Sequence, residues 1–129
     1  MITGEAPIAV LLVEDNDVYR ESLVFLLRRV GGLEVVGAVA DGAAATSACF
    51  ELRPDVVVLD FRLPDVDGAE VAADLLERCP GTEVVFLSAS AGQDEYDAAS
   101  RARAALVRKD EGVDALVSAV RAAAGRRRE

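Results

Sequence analysis

Three short, unbroken apolar runs constrain this chain more than any other feature: Ile8 to Val13, Val56 to Leu59 and Val84 to Leu87. Each is too short for a helix, apolar at consecutive rather than alternate positions, and mostly β-branched. A strand carries that pattern when both of its faces are buried, which is the condition of a parallel sheet covered by helices on both sides. Ala104 to Val107 repeats the pattern more weakly, and Glu34 to Val39, which contains Gly37, suits an edge strand.

Helical periodicity fills the gaps between the runs. Tyr19, Leu23, Leu26, Leu27 and Val30 recur at three- and four-residue steps and predict one apolar helix face, with Asn16 or Asp17 as N-cap and Gly31-Gly32 as the stop. Ala43 to Leu52 reads as a second helix ended by Arg53-Pro54, and Ala69 to Cys79 as a third ended by Pro80. Gln93 to Arg103 reads as a more polar fourth helix. Val113, Leu116, Val117 and Val120 predict the last one, ended by Gly125, with Arg126-Arg127-Arg128 as a basic tail or linker stub. Strand and helix alternate five times without an internal repeat, which predicts a doubly wound five-stranded parallel α/β sheet with right-handed crossovers.

The 129 residues, 52% of them hydrophobic, are the size of one domain, with its core expected between about residues 8 and 124. A surplus of Asp and Glu over Lys and Arg gives a net charge of −9, so the chain is expected to repel nucleic-acid backbones and not to bind DNA directly. Its longest apolar stretch, Pro7 to Val13, is far below the roughly 18 to 20 residues of a membrane span, and no basic segment or cleavage site marks a signal peptide. The chain therefore reads as cytoplasmic. Cys49 and Cys79 have no histidine or third cysteine at metal-ligand spacing and read as free thiols.

In an open α/β sheet, ligands bind beyond the C-terminal ends of the strands. Those ends carry Glu14 and Asp15 after the first run, Asp60 after the run on the predicted third strand, Ser88 after the next, and Lys109 shortly after the last. Hard oxygen ligands in a small cluster suit Mg²⁺. A bound cation is also the simplest way for neighbouring carboxylates to remain ionised together. An ionised Asp60 can then act as a nucleophile toward phosphorus, with Mg²⁺, Lys109 and Ser88 neutralising the phosphoryl oxygens. One acid at a strand end is most often a turn or cap residue, and it is the convergence of several that points to chemistry. Asp65 and Asp67 sit in the turn signals Pro64-Asp65 and Asp67-Gly68 and read as structural.

From Ile8 to about Ala124 the chain resembles a response-regulator receiver domain, the CheY-like family of two-component signal transduction. The resemblance rests on Val13-Glu14-Asp15-Asn16, on Leu59-Asp60-Phe61-Arg62-Leu63-Pro64 through Asp67-Gly68, on Leu87-Ser88-Ala89, and on Lys109-Asp110. It implies the flavodoxin-like strand order 2-1-3-4-5, which the run pattern alone does not fix. It further implies that Asp60 takes a phosphoryl group from a partner histidine kinase. Glu14 and Asp15 would form the acidic pair of the metal site, with Asp15, Asp60 and the Arg62 backbone carbonyl as direct Mg²⁺ ligands. Lys109 would pair with the phosphoryl group, and the Ser88 hydroxyl would swing toward it and bias the face made by the fourth helix, fifth strand and fifth helix. Such a domain catalyses its own phosphorylation and dephosphorylation but is a signalling domain rather than a stand-alone enzyme.

Three positions are particular to this chain. Leu106 stands three residues before the lysine, where many members carry a Tyr or Phe that rotates on activation. Asp110 replaces a frequent proline, and Arg62 and Ser90 occupy positions that tune phosphoryl lifetime in the family. A haloacid-dehalogenase-like phosphatase also uses an aspartate nucleophile, but it needs a second aspartate where this chain has Arg62. A phosphorylation-independent interaction module is the alternative that Leu106 keeps open. The output could be that of a single-domain regulator acting by protein contact, or of a receiver preceding a DNA-binding helix-turn-helix, whose motif wording this chain resembles. Ala122-Ala123-Ala124 is compatible with a homodimer face and equally with ordinary helix filler.

Overall fold

The structure is a computed structural model that describes residues 6–90 and 92–128. Five parallel strands, β1 (Ile8–Val13), β2 (Leu33–Val39), β3 (Val56–Asp60), β4 (Glu83–Ser88) and β5 (Ala105–Arg108), line up in the order β2-β1-β3-β4-β5. Helices α1 (Asp17–Leu27), α2 (Gly42–Leu52), α3 (Gly68–Arg78), α4 (Gln93–Arg101) and α5 (Val113–Arg128) connect and follow them. This is the doubly wound α/β fold expected from the runs, and β2 occupies an edge as its weaker apolar character requires. Among the described residues no helix is long and apolar enough to cross a membrane.

Alternation along the three central strands builds two cores. Val10, Leu12, Val56, Val58, Val85 and Leu87 face one side and pack with Leu23 and Leu27 of α1 and Leu116, Val117 and Val120 of α5. Leu11, Val13, Val57, Leu59, Val84 and Phe86 face the other and pack with Ala45 and Cys49 of α2 and Val71, Ala72 and Leu75 of α3. The unbroken apolar runs follow directly from this, because successive residues serve opposite cores.

Helix ends depart from expectation in three places, the first being α1, which closes at Leu27 with Arg28 as its C-cap rather than running through Val30 to Gly31-Gly32. α5 does not end at Gly125 but continues to Arg128, with the Arg126 guanidinium 3.5 Å from Glu83. A glycine near a helix end weakens it by only about 1 kcal/mol, too little to stop a helix that already has more than three turns behind it. The fourth helix closes at Arg101 rather than Arg103, whose backbone turns left-handed (φ 53) ahead of β5. The α1 face is also narrower than the periodicity suggests. Leu23 and Leu27 are buried and Tyr19 and Val30 partly so, but Leu26 is exposed, because a single sheet face covers only one stripe of the helix.

The loop after β3 is fixed at both ends. Asp65 accepts hydrogen bonds from the Gly42 and Ala43 amides at 2.9 and 3.1 Å, which ties the loop to the start of α2 and holds its carboxyl below the usual carboxylate range. Asp67 caps α3, accepting from the Ala69 amide, so both acids are structural as expected. Gly68 then brings α3 against the strand end: a Cβ there would stand 2.5 Å from the Phe61 carbonyl oxygen and 2.8 Å from that of Asp60. Neither backbone atom can yield without moving Asp60. Gly68→Ala is therefore expected to lower stability by about 1 to 3 kcal/mol, the usual range for overpacking. Urea denaturation reads this directly, and an unchanged midpoint would contradict it.

Candidate functional site

All the strand-end residues singled out from the sequence lie along one edge, and three of the acids form a cluster. Oxygen atoms of Glu14, Asp15 and Asp60 lie within 4.8 Å of one another, Glu14 and Asp60 buried and Asp15 exposed. Strand pairing sets this arrangement. β1 and β3 are neighbours with Val13 opposite Leu59, so the residues that follow on each strand emerge side by side. The Glu14 amide continues the ladder to the Val39 carbonyl at 3.0 Å, and the Phe61 amide donates to the Leu87 carbonyl at 2.9 Å.

Lys109 reaches the cluster from the 3-10 turn after β5 (Lys109–Glu111). Its ammonium lies 2.8 Å from Glu14 Oε1 and 3.4 Å from Asp60 Oδ2. Glu14 is held further by the Asn16 amide, which donates to Oε2 at 3.0 Å. Burial works against the Glu14 charge, but Lys109 and the Asn16 amide outweigh it, and the carboxyl titrates below the ordinary glutamate value. Burial likewise works against Lys109, yet the two carboxylates hold its pKa above the usual lysine value. Asp60 goes the other way. Burial first, and then the Glu14 charge, push it up to about 6 against the opposing pull of the Arg62 amide and Lys109.

Ser88 and Arg62 flank Asp60 without entering the ion-pair cluster. The Ser88 hydroxyl donates to the Ser90 carbonyl within its own loop, and the Ser90 amide returns a bond at 3.3 Å, so the hydroxyl is held by its own loop. The Arg62 amide donates to Asp60 Oδ1 at 3.2 Å, while its guanidinium points to Glu95 in α4. Leu106 pairs with Phe86 in the sheet and packs partly buried on the α3 side.

The sequence reading missed a role for Tyr19 and Arg20. The Lys109 ammonium lies 4.7 Å from the centroid of the Tyr19 ring, a cation–π contact worth about 0.5 to 2 kcal/mol. Arg20 donates to the Glu14 carbonyl at 2.8 Å and pairs with Asp17 at 2.7 Å. Tyr19 stood out only as part of an apolar face. A tyrosine one turn into the helix that follows an acidic strand end was the available signal.

The donor set fits a hard divalent cation. It consists of carboxylate oxygens alone, and Glu14 Oε1 is buried without a hydrogen-bond partner, its contact to Lys109 being an ion pair of poor hydrogen-bond alignment. One ammonium is set against three carboxylates, which leaves two negative charges for a divalent cation to balance.

In a doubly wound parallel sheet the ligand site lies at the switch-point edge, where these acids and the lysine gather. Residues 10–121 match the response regulator receiver domain family model, and the chain belongs to that family. It is 38% identical over 87 residues to a protein-glutamate methylesterase/protein-glutamine glutaminase of Anaeromyxobacter dehalogenans, covering 67% of this chain and 25% of that one. It is 43% identical over 81 residues to the DNA-binding transcriptional activator DevR/DosR of Mycobacterium tuberculosis, covering 63% of this chain and 37% of that one. The chain thus spans a quarter to somewhat over a third of these relatives. The response regulator domain of Thermotoga maritima CheB superposes with a TM-score of 0.84 at 27% identity, covering 92% of this chain and 97% of that one. The chain is accordingly a phospho-accepting receiver domain of two-component signalling.

The raised Asp60 pKa has a thermodynamic consequence without metal. As pH rises from about 4 to about 6, an unfolded Asp60 releases its proton before the folded one does, so this residue removes stability across that window. Two pH units correspond to roughly 3 kcal/mol. Glu14 has the opposite sign: its depressed pKa adds stability that is lost as pH falls. Asp60→Asn isolates the first effect. Metal-free Asp60→Asn is expected to gain stability relative to the parent as pH rises through 4 to 6, by thermal melts in EDTA, and a difference independent of pH would contradict the coupling.

Proposed function

We propose that Asp60 is the phosphoryl acceptor and that a sensor histidine kinase is its donor. An Asp60 carboxylate oxygen attacks the phosphorus of a phosphohistidine. The new O–P bond forms as the N–P bond breaks, and the imidazole leaves with the electron pair and takes up a proton. Hydrolysis reverses the state: water attacks phosphorus, inorganic phosphate leaves, and the carboxylate is regenerated. The observation that carries this reading is the position of the Lys109 ammonium, 3.4 Å from Asp60 Oδ2 and 2.8 Å from Glu14 Oε1. From there it can follow charge that moves from the carboxylate onto the phosphoryl oxygens.

Glu14, Asp15, Asp60 and the Arg62 carbonyl would hold Mg²⁺, which when bound neutralises phosphoryl oxygens. Ser88 would exchange the Ser90 carbonyl for a phosphoryl oxygen, loosening the loop that leads into α4. With Leu106 in place of an aromatic, the β5 part of the switch would be a packing change rather than a ring rotation. With Mg²⁺ bound, Asp60 and Lys109 would let the chain take a phosphoryl group from a small donor, so on this reading it is a signalling domain that catalyses its own phosphorylation and dephosphorylation. A kinase partner of this kind fits a cytoplasmic setting. A linked DNA-binding output and control of transcription, as named for DevR/DosR, fit the wording of the Asp60 and Lys109 motifs, and dimerisation through the α4–β5–α5 face would deliver it.

Incubation with Mg²⁺ and acetyl phosphate is expected to add one phosphoryl group by intact mass. EDTA should prevent the adduct, Asp60→Asn should remove it, and Lys109→Ala should slow its formation by about 100-fold or more, the usual penalty for losing one charge-stabilising donor. No adduct at any Mg²⁺ concentration, or one that survives in Asp60→Asn, would refute the assignment.

A further inference from the structure

Glu95 is the buried acid for which the proposed site has no use. Glu14, Asp60 and Glu95 are the buried acids among the described residues, and the first two share Lys109. Glu95 stands in the first turn of α4 with its side chain only 7% exposed, and Oε2 lies 3.7 Å from Nη2 of Arg62. Arg62 is its one ion-pair partner among the described residues. A carboxylate taken out of water depends heavily on a single partner at that range.

Glu95 also serves its own helix. Gly92, the N-cap residue, provides no side-chain cap, and a Cβ placed on it would stand 3.1 Å from Glu95 Oε1. The carboxylate is therefore folded back against the start of α4, where first-turn amides favour negative charge. Glu95 thus lies against the start of this turn, and Arg62 is its ion-pair partner.

Arg62 is placed to serve two masters. Its amide is bonded to Asp60 Oδ1 at 3.2 Å, while its side chain is 80% exposed beside an open cleft of about 500 Å³ lined by Phe61, Arg62, Asp67, Asp94, Glu95 and Arg101. Among the described residues the guanidinium is held only by this pair at a mostly exposed position, so it can re-aim without rebuilding the core.

We propose that the Arg62–Glu95 pair is a charge-exchange latch: Glu95 holds the guanidinium while Asp60 is unmodified, and a phosphoryl group on Asp60 draws it away and frees the first turn of α4. This rests on Asp60 being the acceptor. A phosphoryl group adds strong negative charge two residues from Arg62. If the two anions compete for one guanidinium, linkage requires that Glu95 oppose the phosphorylated state by the factor with which phosphorylation weakens the pair. Glu95 is then a positioning residue that acts through Arg62.

Beryllofluoride with Mg²⁺, a phosphoryl mimic, tests this on the whole chain. Glu95→Gln is expected to tighten beryllofluoride binding about fivefold, the lower end of ordinary coupling between sites. That gain should vanish when Arg62→Gln is also present, a dependence that a merely structural role would not produce. Hydrogen exchange at amides 93 to 96 should quicken when beryllofluoride is added to the parent, and should already be fast in Arg62→Gln without it. Unchanged affinity in Glu95→Gln, equal tightening with and without Arg62, or constant exchange at these amides would overturn the latch. If Glu95→Gln does not fold, Arg62→Gln alone should show both weaker binding and faster exchange, and either without the other would overturn it. Binding lost in Asp60→Asn but indifferent to Glu95 defeats the latch alone. No binding by the parent, or binding kept in Asp60→Asn, defeats the Asp60 assignment and the latch with it.

Discussion

The Lys109 ammonium between Glu14 and Asp60 is the interaction on which the rest of this structure depends. It closes a five-strand sheet across its C-terminal edge, joining the end of β1, the end of β3 and the turn after β5. It also makes two buried carboxylates tolerable, though unequally. Glu14, with the nearer ammonium and the Asn16 amide, keeps its charge easily, whereas Asp60 is left with a pKa pushed up to about 6. An acid so placed gains from any added positive charge, and the chemistry proposed for the site uses that imbalance.

The fold supplies the precision. Residues that follow β1 and β3 emerge together because those strands pair in register, and Gly68 lets α3 approach the backbone beside Asp60 closely enough to fix it. Asp65 and Asp67 hold the intervening loop from two directions. The β3 end and its loop are thus tied down from several sides. On the β4–α4 side, among the described residues, the Ser88 hydroxyl bonds within its own loop and Glu95 pairs with one exposed arginine.

Much of this was legible in the residues. The runs at Ile8, Val56 and Val84 are apolar at every position because each strand feeds two cores, and that alone implies a helix-covered parallel sheet. Strand order did not follow from the runs and came from the family resemblance, since periodicity carries no information on which strands pair. The site acids were visible because they end strands, and Lys109 because it follows one. Tyr19 and Glu95 were not, because their roles depend on which side of a helix meets the sheet edge: Tyr19 looked like core filler, and Glu95 like one more acid on a polar helix. Gly125 misled because a local helix penalty was outweighed by the docking of α5, and Leu26 because periodicity marks a wider stripe than the sheet covers.

The central claim is that the acidic cluster carries more negative charge than Lys109 can neutralise, so that a divalent cation completes it. Calorimetric titration of Mg²⁺ into the chain and into Lys109→Met tests it most directly. The account predicts one Mg²⁺ per chain, bound several-fold more tightly when the competing ammonium is removed and lost in Asp15→Asn. No binding by the parent chain, or an affinity indifferent to Lys109, would contradict it.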